Sequence, residues 1–216
     1  MKLYLIIKKA WKWFLSALFP PRCLICKKEG AYLCSTHFRF EIAPPNRVEF
    51  KSLNGIYAAT KYFSVPSEQC VEYFKFRGFK EIGEIMALEI IKHSPKNWEK
   101  NSILVPIPLH WSRKLWRGFN QSELLANLIS KKLNIPVCLD LKRIKKTHQQ
   151  SKLSKQDRKT NLSNVFQWQG EKITQNIILI DDVVASGVTL DSAAKELKKH
   201  RANQVFAFVF ARGGGK

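Results

Sequence analysis

Long apolar runs and helix-period stretches take turns through the second half of this chain. "SILVPIPL" (102–109), "NIILID" (176–181) and "QVFAFVFA" (204–211) are apolar on both faces, as strands inside a covered parallel sheet are. Between and after them lie "NQSELLANLISKKLN" (120–134) and "VTLDSAAKELKKH" (188–200), which have helical spacing. Asn120 suits the N-cap of the first helix, with Glu123 placed to answer it. This alternation predicts an α/β fold, a mostly parallel sheet flanked by helices.

The first half is less regular. "NGIYAATKYFS" (54–64) reads as a pair of short strands with Asn54-Gly55 as their turn. "SEQCVEYFKFRGFKEIGEIMALEIIKH" (67–93) is mainly helical, broken near Gly78. Residues 3–19 place Leu3, Ile6, Ile7, Ala10, Trp11, Phe14, Leu15 and Leu18 near helical spacing, and Pro20-Pro21 end the segment. That helix has a basic, aromatic character that suits a membrane surface, and packing on the body of the protein or on a partner suits it as well. Lys8, Lys9 and Lys12 interrupt it, so no apolar run is long enough to span a bilayer, and the cytoplasm is the expected location. The Pro-containing linker "EIAPPNRVEF" (41–50) divides residues 1–45, a helix and a cysteine knuckle, from one domain over 46–216.

Charge changes the picture more than length does. The 216 residues carry 37 Lys and Arg against 17 Asp and Glu, a net charge of +20. Such an excess attracts polyanions, whether nucleic acid, anionic lipid or phosphorylated small molecules, without specifying a site. Five cysteines are present, and three of them crowd between residues 23 and 34. Cys23 and Cys26 form a C-x-x-C pair, and Cys34 and His37 a C-x-x-H pair shortly after. In a reducing compartment such a cluster is more often a metal site than a disulfide framework. Four donors at this spacing suit one tetrahedral zinc with no open position, hence structural zinc. Cys70 and Cys138 read as lone thiols.

"IILIDDVVASGVT" (177–189) carries the most specific chemistry. Ligands of open α/β sheets bind beyond the carboxyl ends of the strands, where Asp181 and Asp182 fall. Ala185, Ser186 and Gly187 leave the backbone uncrowded, and the helix that opens at Val188 or Thr189 offers free N–H groups to a phosphate. Carboxylates repel phosphate, so the acidic pair suits sugar hydroxyls or a cation beside a diphosphate. A ribose phosphate has that shape. Arg113, Lys114 and Arg117, after the strand "SILVP", are expected on the same sheet edge and can bind pyrophosphate; a solvated basic loop is the plain alternative. Residues 143–163 are basic and amide-rich. With Arg143 and Arg158 they can form a lid that excludes water or an arm that tracks a nucleic-acid backbone, and sequence does not separate the two.

These residues carry a resemblance. The acidic pair with its small-residue loop resembles the signature of type I phosphoribosyltransferases. That likeness implies that Asp181 and Asp182 hold the ribose hydroxyls of phosphoribosyl pyrophosphate (PRPP), that Ala185, Ser186, Gly187, Val188 and Thr189 hold its 5-phosphate, and that magnesium accompanies it. "VPIPLHWSRKLWRGFNQSELLA", "FKFRG" with Lys75 and Arg77, and the spacing of Thr147, Gln150, Leu153, Arg158, Asn161 and Phe166 resemble the ComF family more narrowly. In that family the second pair of the knuckle usually ends in cysteine, and here His37 stands in its place. The resemblance implies a role in natural transformation, with incoming single-stranded DNA as a partner. Competence helicase or DNA-processing proteins are further partners to expect, docked through residues 1–45. Trp111, Trp116 and Trp168 are candidates for base stacking, and equally for core positions. An active transferase acting on a nucleobase or amine is the alternative function; the sequence identifies no acceptor pocket and no catalytic residue.

Overall fold

The computed structural model describes residues 20–44, 50–76, 80–98, 100–145 and 165–213. Arg158 and the helix expected over 3–19 lie outside them, as do Arg77 and most of the 143–163 stretch.

Four strands build the main sheet: β1 (Gly55–Lys61), β2 (Ser102–Pro106), β5 (Asn176–Val184) and β6 (Val205–Arg212). Their order is β1-β6-β5-β2 and every pairing is parallel. Parallel neighbours need crossovers, and helices supply them. These are α1 (Val65–Phe76), α2 (Lys80–Lys92), a short α3 (Trp111–Arg117), α4 (Gln121–Leu133) and α5 (Val188–Lys199). The side-chain alternation of β5 feeds two cores. Ile177 and Leu179 join Leu190, Ala194 and Leu197 of α5 on one face. Ile178 and Ile180 meet Phe74, Ile82, Met86, Leu125 and Ile129 from α1, α2 and α4 on the other. A strand buried on both faces has no polar face to show, which is why these segments read as continuous apolar runs.

Both outer edges of the sheet are covered, which removes the hazard of an exposed strand edge. Ile42 bridges Thr60 of β1 in antiparallel sense, and the Lys61 N–H donates to the Glu41 carbonyl at 2.8 Å. At the far edge the Leu104 N–H donates to the Pro136 carbonyl and the Cys138 N–H to that of Leu104, both at 2.9 Å.

Several expectations need correction. Residues 54–64 hold one strand, not two: Asn54 does not turn a hairpin but caps the sheet, its Oδ1 accepting from the Val205 N–H at 2.8 Å. The loop expected around Arg113 and Arg117 is helical, as α3. The basic stretch after residue 141 begins and ends in strands, β3 (Leu141–Arg143) and β4 (Phe166–Trp168), paired antiparallel. Each has only three residues, too few to show a period. Finally, β5 continues through the acidic pair to Val184 rather than stopping at it. Among the described residues no helix is long and apolar enough to cross a membrane.

Candidate functional site

The acidic pair is held from two sides. Asp181 Oδ1 accepts from Ser122 Oγ at 2.8 Å and from the Asp182 N–H at 2.9 Å. Ser122 is positioned by the start of α4. Its N–H donates to Asn120 Oδ1 (3.1 Å), while Asn120 Nδ2 donates to the Ile107 carbonyl (3.2 Å). The Ile107 N–H in turn donates to the Ile180 carbonyl at 3.0 Å. One N-cap therefore ties the loop after β2 to the strand that bears the carboxylates. Asp182 is buried and pairs with Lys75, in the last turn of α1, at 3.1 Å. Burial, with the Asp182 charge beside it, pushes the Asp181 carboxyl up to about 7.

Cations surround this pair. Burial lowers the Arg117 pKa, with Asp182 and then Asp181 pulling it back up and Arg113 pressing it down. Arg143 follows the same pattern: burial lowers it, Arg113 adds to the lowering, and Asp181 opposes both. Arg113, Arg117 and Arg143 thus lie within electrostatic reach of one another or of the carboxylates, although they come from α3 and β3. Arg117 also donates to Gln121 Oε1 at 3.3 Å and stacks over Phe76 and Trp116, 5.3 and 5.9 Å from the ring centroids. The Lys114 backbone is in α3; its side chain is outside the described residues. Sequence reasoning missed Ser122, and it quoted Lys75 without giving it this contact. A serine two residues into a capped helix carries no signal by itself, because its partner is a strand far away in the chain.

Beyond β5 the loop is as small as its residues suggest. Ala185 and Ser186 are exposed, and Thr189 is half-buried. Gly187 is the N-cap of α5 with φ +75°, a left-handed conformation that glycine adopts without strain. No side chain caps this helix, so Ser186 does not act as its cap. The first N–H groups of α5 have no partner within the helix and can meet an anion.

The knuckle is a separate site. Sγ of Cys23, Cys26 and Cys34 and a ring nitrogen of His37 all lie within 4.8 Å of one another. Cys26 and Cys34 sulfurs are 3.8 Å apart, and His37 Nδ1 is 3.2 Å from Cys34 and 3.6 Å from Cys23. Tetrahedral zinc with Zn–S near 2.3 Å separates its sulfurs by about 3.8 Å, so the donor set fits one such metal. Burial opposes the Cys23 thiolate, yet backbone hydrogen bonds from Cys26, Cys34 and Ile25 outweigh it and lower the thiol to about 6. Hydrogen bonds to Cys34 and Cys23 raise the His37 pKa.

Of the three tryptophans considered for stacking, Trp168 is a core residue, 7% exposed, with Nε1 donating to the Glu171 carbonyl. It cannot stack on a base from outside. Trp111 and Trp116 are 68% and 71% exposed. Cys70 is buried and Cys138 donates weakly to Asp140 at 3.3 Å.

The parallel sheet, with its acidic pair at the carboxyl edge, defines a phosphoribosyltransferase-like class, and a phosphoribosyl transferase domain is matched over residues 120–216. Within that class, this chain is similar to ComF-family competence proteins. It is 35% identical over 113 residues to Competence protein F of Haemophilus influenzae, covering 50% of this chain and 49% of that one. To Competence protein ComFC of Bacillus subtilis it is 34% identical over 148 residues, 67% of this chain and 59% of the relative. DNA utilization protein YhgH of Salmonella typhimurium is 29% identical over 157 residues, 69% of each chain. The chain spans about half the length of the first of these relatives.

Proposed function

We propose that this protein assists natural transformation by handling incoming single-stranded DNA in the cytoplasm, and that its sheet edge binds PRPP or a similar ribose phosphate. The observation that carries the second part is the convergence of Asp181 and Asp182 with Lys75, Arg113, Arg117 and Arg143 at the carboxyl ends of β5 and β2. In this reading the carboxylates take the ribose hydroxyls and the loop from Ala185 to Thr189 takes the 5-phosphate. The arginines take the diphosphate, which arrives with magnesium. Cys23, Cys26, Cys34 and His37 hold structural zinc.

Calorimetric titration of PRPP with magnesium tests the site. The expected result is micromolar binding that Asp181→Asn/Asp182→Asn abolishes; a folded, metal-loaded wild type that does not bind PRPP overturns it. The DNA role draws on the names of the relatives, the net charge of +20 and the exposed Trp111 and Trp116. Affinity for single strands should fall steeply with salt as counterions are released, and indifference to DNA at low salt would end that part.

The matched phosphoribosyl transferase domain favours a second reading, an active transferase. Pyrophosphate release on addition of a nucleobase or amine acceptor is its measurement.

A further inference from the structure

Beside the acidic pair lies a cavity of about 390 Å³ that shares Lys75 and Arg117 with the ribose-phosphate reading and adds Tyr62, Glu68, Glu72 and Phe76, which that reading does not use. Lys75 and Arg117 line it, and Lys75 pairs with Asp182. The Phe76 ring and Tyr62 supply flat apolar surface, and Glu68 and Glu72 line it from the exposed side of α1. Phe76 meets Trp116 edge-on at 6.1 Å, and the Arg117 guanidinium lies over both rings. The lining therefore combines an aromatic and cationic platform with two exposed carboxylates.

That combination selects a ligand. Glu68 and Glu72 offset the charge of Lys75 and Arg117, so their side of the lining does not favour phosphate. A planar base can stack on Phe76 and Arg117. Carboxylates accept hydrogen bonds and donate none, so they favour a base whose edge carries an amino group. Cytosine presents a 4-amino donor where thymine presents a carbonyl oxygen. The exposed Trp116, in edge contact with Phe76, continues the apolar surface outward. This favours a base that belongs to a strand over a free one, as does the net charge of +20.

Resting on the single-strand reading given above, we propose that this cavity seats one unpaired, amino-bearing base of the bound strand and reads it through Glu68 and Glu72. Binding to single strands is then not indifferent to sequence. Cytosine-rich strands are preferred to thymine-rich ones.

The test is anisotropy titration of labelled dC12 and dT12 against the full zinc-loaded chain at one low salt concentration. The expected result is dC12 bound about tenfold tighter than dT12. In Glu68→Gln/Glu72→Gln, whose amides donate as well as accept, the ratio should fall to about one, with PRPP affinity unchanged. Phe76→Leu should weaken both strands. Equal binding of the two strands by wild type overturns the base-reading cavity and leaves the DNA role standing, as does a preference that survives in the double variant. Binding of neither strand overturns both. Free cytosine competing as well as dC12 would show a free-base site and overturn the strand as occupant. A 2-aminopurine placed within dC12 reports stacking directly: its emission should be quenched on binding to wild type and not to Phe76→Leu, and an unquenched wild-type complex sinks the proposal.

Discussion

The knuckle and the carboxyl edge of the sheet gather their functional atoms in opposite ways. In the knuckle, Cys23 and His37 are 14 residues apart, and the other two donors fall between them. At the sheet edge, Ser122 and Asp181 share a hydrogen bond across 59 residues, with Lys75 and Arg143 arriving from further elements. A local cluster places its ligands easily but has little core of its own: Leu24 and Leu33 join the main apolar packing, with Ile25, Tyr32 and Phe40 partly buried against it. A non-local site needs the whole sheet to form first, and afterwards stands without a ligand. The knuckle should thus depend on its metal, and the sheet edge on burial and backbone.

Chelation breaks this comparison most directly. Elemental analysis should find one zinc per chain, and stripping it should open residues 20–44 to hydrogen exchange and proteolysis. Structural zinc contributes on the order of 10 kcal/mol in small zinc-dependent domains, so the local loss should be complete. The strands β2, β5 and β6 should keep their protection. If they lose it together with the knuckle, the two regions fold as one unit and the contrast fails.

The next test concerns what burial costs at the sheet edge. Asp181 is raised from an ordinary 3.8 to about 7, so the fold disfavours its ionised form. Below the unfolded pKa there is no cost. As pH rises through the folded pKa, stability is lost, because the unfolded chain has already released that proton. Asp181→Asn removes the titration and keeps an oxygen to accept from Ser122 and the Asp182 N–H. The variant should be more stable than wild type at pH 8, by on the order of 2 kcal/mol, with the gap closing toward pH 4. Paired urea unfolding at several pH values measures it. A constant gap would mean that Asp181 is not strained by burial.

Gly187→Ala probes the loop that opens α5. An added Cβ would lie 2.6 Å from Phe50 Cε2, and φ +75° is unfavourable for alanine. The Phe50 ring can move aside, so backbone strain is the larger remaining part, and the cost should be about 1–2 kcal/mol. Thermal unfolding checks this. An unchanged midpoint would show that the loop conformation is not fixed by the fold.

How much of this was legible in the sequence follows the same divide. The cysteine spacing reveals the knuckle because the donors are neighbours in the chain. Asp181, Asp182 and the small loop are legible because one strand-loop-helix unit contains them all. Helix α4 is legible from Asn120 and its apolar period. What could not be read was assembled across elements: Ser122 meeting Asp181, Lys75 meeting Asp182, and Arg143 brought near through β3. The short elements were lost for a simpler reason. Seven residues of α3 span two turns, and the three-residue β3 and β4 are too brief for a period of two to be counted. Trp168 was ambiguous because an aromatic beside a basic run suits either a core or a nucleic-acid surface, and only packing decides.

The smallest effect sharpens the comparison within the knuckle itself. Arg22 and Glu29 form an ion pair at 2.7 Å that brackets the first two cysteines, and both side chains are more than half exposed. In water such a pair gains little, because screening and lost side-chain freedom offset the attraction. Arg22→Ala should therefore change the stability of the zinc-loaded knuckle by less than about 0.5 kcal/mol. Zinc affinity, measured by competition with a chromophoric chelator, should be unaltered. A tenfold loss of affinity would mean that this ion pair, and not the four donors alone, sets the geometry at Cys23 and Cys26. The knuckle would then share with the sheet edge a dependence on charges placed around the ligand atoms.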